Sequence, residues 1–351
     1  MTKVRAAVAV AALMLVFAAC GTSPDHVAET GGSGASSGST SSSGAVKVPT
    51  NVTFQVGLND PAKQNIAVLA YMPAQATVEV GTPVDFSWTG TIEPHSVTFL
   101  APGQTLPDPG SDPSLFAAVP AVGAIDGTKF VNSGLQPLGP GAVPTMEVTF
   151  GKAGSYPFHC VIHPNMLGTV NVVEKGASGV DTPASVAEAG AADQQKFLAE
   201  GQKAEADFAK QAPVSTKAAD GTTTWKLHMG TSTEHTDILE FQPVPATVKA
   251  GDTVNFVNDS AAPHTASFFG ATVPITNPTD PKVDPPSGVP PLALDITGFF
   301  NSGLIPPNVP PGSGPPESAR SFSFIVPKAG TYSYVCILHA SSGMTGAITA
   351  S

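Results

Sequence analysis

The chain has 351 residues and a formal net charge of −11, from 16 Lys and Arg against 27 Asp and Glu. This acidic balance argues against a nucleic-acid partner, because phosphates are bound by basic patches. Hydrophobic residues make up 41%, which excludes global disorder, and the 35 Gly and 35 Pro favour turn-rich β-structure over a helical bundle. The three cysteines are too few, and odd in number, for a disulfide framework, so each needs another role.

Residues 1–19 have the pattern of an export signal. Lys3 and Arg5 give a positive start, and the following apolar run of 14 residues is too short to span a membrane but suits a signal peptide. The run ends at Cys20 after two alanines, which resembles the bacterial lipobox. The resemblance implies that Cys20 is lipidated and that this lipid is the chain's link to the membrane. The alternative is an ordinary cleaved signal peptide, which would leave a secreted or periplasmic protein.

Residues 20–46 are predicted to form a flexible tether. Residues 31–44 are almost wholly Gly, Ser, Thr and Ala, a composition that cannot bury apolar surface. A lipid anchor followed by such a tether predicts an extracytoplasmic bacterial protein whose folded part moves freely beside the membrane.

The rest of the chain contains an internal repeat. Similar segments occur twice in the same order and at nearly the same spacing, which indicates a tandem duplication of one domain. The predicted domains are residues 47–175 and 222–351. The matching segments are Glu93-Pro94-His95 with Ala262-Pro263-His264, Asn132-Ser133-Gly134-Leu135 with Asn301-Ser302-Gly303-Leu304, and Lys152-Ala153-Gly154 with Lys328-Ala329-Gly330.

Within each copy, short runs of Val, Phe, Thr and Ile alternate with polar residues between turn-forming residues, which predicts antiparallel strands in a sandwich or barrel. Residues 176–221 are predicted to be a partly helical linker, with a helix over Pro183–Gln211 that acts as a spacer or lies against one domain. Loops 102–129 and 277–318 are longer than a sandwich requires, and such loops cover or border a site or simply decorate it. The strands predicted in the first copy are Val52–Val56, Thr77–Val80, Val84–Trp88, Val97–Leu100, Glu147–Phe150 and Thr169–Val173.

Each copy carries the same four candidate metal ligands in the same order. A thiolate, two imidazoles and a thioether form the ligand set of a type 1 (blue) copper site. The cysteine ends one strand, the methionine opens the next, and the loop between them carries the second histidine. The pattern predicts one copper per copy, two in all, held by His95, Cys160, His163 and Met166 and by His264, Cys336, His339 and Met344.

On these motifs each copy resembles the cupredoxins, the blue-copper fold of plastocyanin, amicyanin and azurin. The loop from Cys160 to Met166 is similar to the amicyanin type, and the loop from Cys336 to Met344 to the plastocyanin type. The resemblance implies an all-β fold of two tandem cupredoxin-like Greek-key β-sandwiches joined by a helical linker. It also implies an electron carrier rather than an enzyme, with His163 and His339 at the surface where a redox partner protein docks.

Two other functions stay open. A copper nitrite reductase also has a histidine directly before its cysteine, as His159 is here, but its Cys-to-His loop is longer and its further histidine is replaced by Leu100. A copper storage, delivery or tolerance protein would be favoured if His228, Met229 and His235 bound metal. The alternative is that they are ordinary solvated surface residues. A multicopper oxidase is excluded, because the chain has no His-x-His pair.

Overall fold

Strands form most of the regular structure in the part of the chain that the structure describes. The structure is a computed structural model and describes residues 50–106, 112–137, 143–244, 247–269, 292–293, 299–308 and 316–351. The predicted signal peptide, Cys20 and the tether lie outside these residues, as do parts of both long loops. Their assignments therefore stay predictions.

The first copy is a sandwich of two sheets. One sheet has the order β2-β1-β4-β7 and the other β3-β9-β8-β5-β6. Alternate side chains of each strand point inward, as Val52, Phe54 and Val56 do, and the aromatic rings of Phe54, Phe86 and Phe158 meet between the sheets. All six predicted strand regions are confirmed. The strands are β1 Val52–Asn59, β2 Ile66–Met72, β3 Gln75–Glu79, β4 Pro83–Ser87, β5 Thr98–Phe99, β6 Val131–Asn132, β7 Thr145–Thr149, β8 Gly154–His159 and β9 Leu167–Val173.

The second copy repeats this arrangement. One sheet has the order β15-β17-β13-β11-β12, with β10 paired to β11, and the other β16-β14-β18-β19. Phe256, Phe268 and Tyr334 occupy its core as Phe86, Phe99 and Phe158 do in the first copy. The strands are β10 Val214–Lys217, β11 Thr223–Ser232, β12 Thr236–Gln242, β13 Thr253–Asp259, β14 Ser267–Phe269, β15 Leu292–Ala293, β16 Phe299–Asn301, β17 Ser321–Ile325, β18 Gly330–Val335 and β19 Thr345–Ala350.

The two copies share one continuous sheet. Strand β2 pairs antiparallel with β12, with Ile66 opposite Ile238. Backbone hydrogen bonds extend the junction, since the Leu69 N–H donates to the carbonyl of His235 at 2.8 Å and the Leu239 N–H donates to that of Asn65 at 2.8 Å. Because β2 and β12 occupy matching places in the repeat, the junction brings the same edge of each sandwich to a common interface.

A long helix, α1 (Pro183–Phe208), covers this junction. Thr182 and Ser185 form a capping box at its start, and its buried phenylalanines, Phe197 and Phe208, pack on β2 and β12. The predicted helix is confirmed, but the expectation of a spacer or a helix on one domain is wrong. Since β2 and β12 are adjacent, one apolar stripe covers strands of both copies. No helix in the described ranges is long and apolar enough to cross a membrane.

Candidate metal centres

The loop between β8 and β9 carries three of the predicted ligands of the first copy. Cys160 directly follows β8, Met166 directly precedes β9, and His163 lies between them. The Cys160 N–H donates to the Met166 carbonyl at 3.1 Å, and the Met166 N–H donates to the His163 carbonyl at 2.9 Å. The pairing of β8 with β9 therefore places the cysteine and the methionine beside each other at the end of the hairpin.

The fourth predicted ligand, His95, comes from the segment between β4 and β5. Two backbone hydrogen bonds of 2.8 Å with Gln136 hold it. Its Nδ1 atom lies 3.1 Å from Nδ1 of His163, and Sγ of Cys160 lies 3.5 Å from the same His163 nitrogen. All four side chains are buried. The structure thus brings together donor atoms that are 68 residues apart in sequence.

The second copy assembles the same arrangement. Nδ1 of His264 and Nδ1 of His339 lie 3.0 Å apart, and Sγ of Cys336 is 3.3 Å from Nδ1 of His339 and 3.6 Å from Nδ1 of His264. The Cys336 N–H donates to the carbonyl of Met344 at 3.0 Å, as in the first loop. Both sulfur-containing side chains are fully buried. The two extra residues of this loop leave the convergence of the donors unchanged.

A hydrogen-bonded frame holds each thiol in the same way. The Ser96 N–H points at the sulfur of Cys160 at 3.5 Å, and the Thr265 N–H points at that of Cys336 at 3.4 Å. The hydroxyl of Ser96 also accepts the N–H of Val161 at 3.0 Å. The residue after each upstream histidine therefore fixes the cysteine-bearing strand to the histidine-bearing segment.

The donor set fits copper. In each group two imidazole nitrogens and one sulfur lie within 4.8 Å of one another, and the described residues contain no other such group. Burial lowers the pKa of His95 and of His264 well below its ordinary value, and the neighbouring histidine lowers it further. The imidazoles of His95 and His264 therefore offer lone pairs. In each group two imidazole nitrogens and one sulfur match the His₂Cys part of the ligand set that copper takes.

The back of each upstream histidine ring rests on a glycine. A Cβ on Gly57 would lie 2.3 Å from Nε2 of His95, and one on Gly230 would lie 3.0 Å from Nε2 of His264. Both glycines have positive φ, +65° and +76°, and both sit where the register of the first strand shifts. Motif spacing did not identify these positions, because they lie far from the ligands in sequence.

A buried carboxylate makes the two sites unequal. Glu93 of the first copy lies against the second copy's site, with Oε2 3.3 Å from Nε2 of His339 and Oε1 accepting the Ser342 hydroxyl at 2.9 Å. Burial raises the pKa of Glu93, but His339 outweighs this effect and holds the pKa below its ordinary value. The sequence does show an acid, Glu93, at a position where the second copy has Ala262, but only the interface between the copies reveals what the acid contacts.

The acid–base properties of the two sites differ accordingly. Burial lowers the pKa of His163 to about 4, against a smaller opposing effect of Glu93. Burial also disfavours protonation of His339, but Glu93 and Cys336 outweigh it and raise the pKa well above its ordinary value. Burial raises the pKa of Cys160, whereas the pKa of Cys336 is lowered, because burial is outweighed there by His339. The carboxylate of Glu93 explains why the pKa values of the loop histidines differ between two sites with the same ligand types.

The loop histidines are less accessible than predicted. His163 is 7% exposed and His339 is 4% exposed, because both loops face the junction between the copies. Glu93 covers the outer nitrogen of His339. His163 instead borders a cleft whose other wall includes Thr233 and Glu234 of the second copy. The expectation that both rings reach an open surface is therefore corrected, since pairing of the copies covers them.

The remaining predicted residues are not members of the two groups. His159 is partly buried, and burial lowers its pKa. The side chain of His228 contacts Asp259 at 2.5 Å, while Met229 belongs to the second core. His235 stacks on Phe197 with ring centroids 4.1 Å apart. The structure therefore does not bring His228, Met229 and His235 together.

The chain is similar to several known proteins over part of its length. It is 33% identical over 111 residues to plastocyanin of Scenedesmus fuscus, which covers 32% of this chain and 86% of that protein. It is 32% identical over 110 residues to chloroplastic plastocyanin of Chlamydomonas reinhardtii, covering 31% of this chain and 57% of that protein. No protein-family model matches the chain.

Solved structures of amicyanin variants are also similar to this chain. An oxidized variant is 20% identical, with a TM-score of 0.22, and the match covers 35% of this chain and 82% of that chain. A variant in the Cu(I) form is likewise 20% identical with a TM-score of 0.22, covering 36% of this chain and 87% of that chain.

Proposed function

The chain belongs to the plastocyanin family, and on that premise we propose that it is an electron-transfer protein with two type 1 copper sites. The proposed ligands are His95, Cys160, His163 and Met166 in the first copy and, in the second, His264, Cys336, His339 and Met344. The observation that carries the proposal is the convergence of one sulfur and two Nδ1 atoms, twice, in the buried interior. Copper bound in such a set supplies a one-electron couple between Cu(II) and Cu(I).

The chain's own residues hold the donor side chains in place and bury them. A backbone hydrogen bond closes each of the loops Cys160–Met166 and Cys336–Met344, which restrains the positions of the donor side chains that would hold the metal. Burial keeps His95 and His264 neutral and ready to bind metal. The upstream rings are packed against Gly57 and Gly230, which closes off the space behind them.

The decisive experiment is copper loading of the full chain. Two bound coppers, intense thiolate-to-copper absorption and narrow hyperfine splitting in the EPR spectrum are expected. Cys160→Ser and Cys336→Ser serve as controls for each other, and each is expected to remove one blue site and leave the other. A colourless copper-loaded protein, or no loss of blue absorption in either variant, would contradict the proposal.

We also propose that the protein works outside the cytoplasmic membrane, anchored by lipid on Cys20 and carried on the Gly- and Ser-rich tether. Cys20→Ser is expected to release the protein from the membrane fraction and to abolish labelling by a radioactive fatty acid. Labelling that persists in the variant would exclude this anchor.

A redox partner protein is proposed to dock beside His163 or His339. The first position is favoured, because His163 borders the cleft with Thr233 and Glu234, whereas Glu93 covers the outer edge of His339. Substitution of Glu234 by Lys is expected to change the rate of electron exchange with an external partner and not the spectra of the copper sites.

Copper storage or delivery and a nitrite-reductase-like activity are the competing proposals. Copper beyond two ions per chain, retained when both Cys160 and Cys336 are replaced by serine, would favour storage. Nitrite-dependent turnover by the copper-loaded protein would favour the enzyme. Extra copper is not expected, because His228 and His235, outside the two groups, are already engaged by the side chains of Asp259 and Phe197.

A further inference from the structure

One buried carboxylate crosses from the first copy to the ligand set of the second. Glu93 is 6% exposed, and its side-chain oxygens contact Nε2 of His339 at 3.3 Å and the hydroxyl of Ser342 at 2.9 Å. Both contacts are to the loop that carries Cys336 and Met344. The Nδ1 atom of the same His339 ring faces the sulfur of Cys336 at 3.3 Å. The carboxylate therefore touches the side of the ring opposite to its metal-facing nitrogen.

Burial of a carboxylate is costly unless charged or hydrogen-bonding groups compensate for the lost water. His339 and Ser342, which supply this compensation to Glu93, both belong to the second copy, so it depends on the interface between the copies. The repeat places no matching acid beside the first copy's site, because Ala262 stands at the position equivalent to Glu93. The feature thus distinguishes two otherwise identical ligand sets.

We propose that Glu93 is a positioning residue contributed by the first copy to the second copy's site, where it orients His339 and lowers the site's reduction potential. This inference rests on the proposed function, since it assumes copper at both sites. A carboxylate that accepts the outer N–H of a metal-binding histidine fixes the tautomer and makes the ring a stronger donor. A stronger donor and a nearby negative charge both favour Cu(II) over Cu(I).

The same contact ties the two sites together. Glu93 is two residues before His95, a proposed ligand of the first site, so the segment Glu93-Pro94-His95 reaches both ligand sets. His95 in turn is held by its hydrogen bonds with Gln136. The second site is therefore complete only when the first copy is folded and in place, which gives a reason for the shared sheet between β2 and β12.

The test is the reduction potential of each site at pH 7 in the full chain. The second site is measured in a Cys160→Ser background and the first in a Cys336→Ser background. Glu93→Gln keeps the shape of the side chain and an oxygen acceptor but removes the charge. It is expected to shift the Cu(II)/Cu(I) equilibrium of the second site about tenfold toward Cu(I), which is ~59 mV for a one-electron couple. The first site is expected to shift by less than half as much.

Two further variants separate charge from packing. Glu147 is an exposed acid of the same copy, and Glu147→Gln removes the same charge without touching either site. It is expected to leave both potentials unchanged. Glu93→Asp restores the charge with a shorter side chain and is expected to recover most of the wild-type potential of the second site. Equal potentials for Glu93→Asp and Glu93→Gln would mean that packing, not charge, is responsible, and would overturn the proposal.

A structural readout accompanies the potentials. In the diamagnetic Cu(I) protein, the Nε2 proton of His339 is expected to give a slowly exchanging NMR resonance, which Glu93→Ala abolishes. If the copper-loaded wild-type chain showed no blue copper site, the proposed function itself would be refuted. Two intact blue sites with no selective shift in Glu93→Gln, and a His339 proton unaffected by Glu93→Ala, would refute this inference alone.

Discussion

Replacing Gly57 with alanine tests whether the bulge in β1 sets the position of His95. The new Cβ would lie 2.3 Å from Nε2 and 2.4 Å from Cδ2 of that ring, well inside van der Waals contact. To reach an ordinary separation the ring must retreat by roughly 1 Å. Metal–ligand distances tolerate only about 0.2 Å, so the retreat is expected to remove copper from the first site.

The backbone contributes separately to this effect. Gly57 has φ +65°, a conformation that costs an alanine about 1–2 kcal/mol. Gly81 has φ +85°, and an alanine Cβ there would meet no atom of the described residues within 4 Å, so Gly81→Ala carries the backbone strain without the collision. The control is expected to lower the melting temperature by roughly 2–8 °C and to keep both coppers.

The assay is copper stoichiometry together with visible absorption and EPR of the full chain. Gly57→Ala is expected to bind one copper, to lose the first site's blue absorption and to keep the second site's. The melting temperature of the copper-free protein should fall below that of Gly81→Ala. Two coppers with unchanged spectra in Gly57→Ala would show that the bulge does not position His95.

Three further predictions concern the scaffold. Burial raises the pKa of Asp237 to about 6 from an ordinary 3.8, so the folded protein retains a proton that the unfolded chain releases, and stability falls as pH rises from 4 to 6. Asp237→Asn is expected to remove this loss and to raise the free energy of unfolding at pH 7 by up to about 3 kcal/mol, measured by urea unfolding at pH 4 and at pH 7. A variant less stable than wild type at pH 7 would contradict the burial effect. Phe197→Ala should destabilise the protein by about 3 kcal/mol, because the ring is buried between α1 and β2. Lys203→Ala, which breaks the exposed Lys203–Asp207 pair on the same helix, should leave the stability almost unchanged; equal losses in thermal unfolding would exclude a structural role for the helix. Asn132→Ala should cost about 2–3 kcal/mol and lower copper retention in the first site only, because its amide bonds the Thr98 hydroxyl and the carbonyls of Leu115 and Ala117; an unchanged melting temperature would refute this.

Much of this architecture was predictable, because the information is local or repeated. Alternating apolar residues predicted β1 and β9, and the Ala-rich stretch predicted α1. The ligand groups followed from residue type, since few sites combine Cys, two His and Met at short spacing. The repeated Asn132-Ser133-Gly134-Leu135 motif was visible as well, but its role was not. In the structure Ser133 accepts the N–H of Val97 at 2.8 Å, so the motif supports the strand that follows His95.

The features that could not be predicted depend on contacts between distant segments. The pairing of β2 with β12 joins the edge strands of the two copies. Strand β2 is apolar on both faces, whereas β12 carries polar residues on both, and nothing in either sequence specifies its partner. The helix was predicted from composition, yet its place across both copies depends on close approaches at Gly190 and Gly201, where a Cβ would lie 2.9 Å from the Met72 carbonyl and 2.4 Å from Ile66. Burial of His163 and His339 follows from the same junction.

Duplication by itself gives two equal sites, and the junction is what makes them unequal. If the copies were joined only by a flexible linker, both loop histidines would face solvent. The difference between Glu93 and Ala262 at matching positions would then have little effect on either ligand set. Because β2 and β12 pair, the same edge of each sandwich is turned inward, and Glu93, two residues before His95, lies beside the second copy's ligand loop. Ala262 stands at the matching position of the second copy. An acid at one of these positions and an alanine at the other then place one carboxylate against His339 and leave His163 beside a cleft. The outer edge of His339 is thereby covered from within the chain, whereas the cleft beside His163 is where the proposed redox partner would dock.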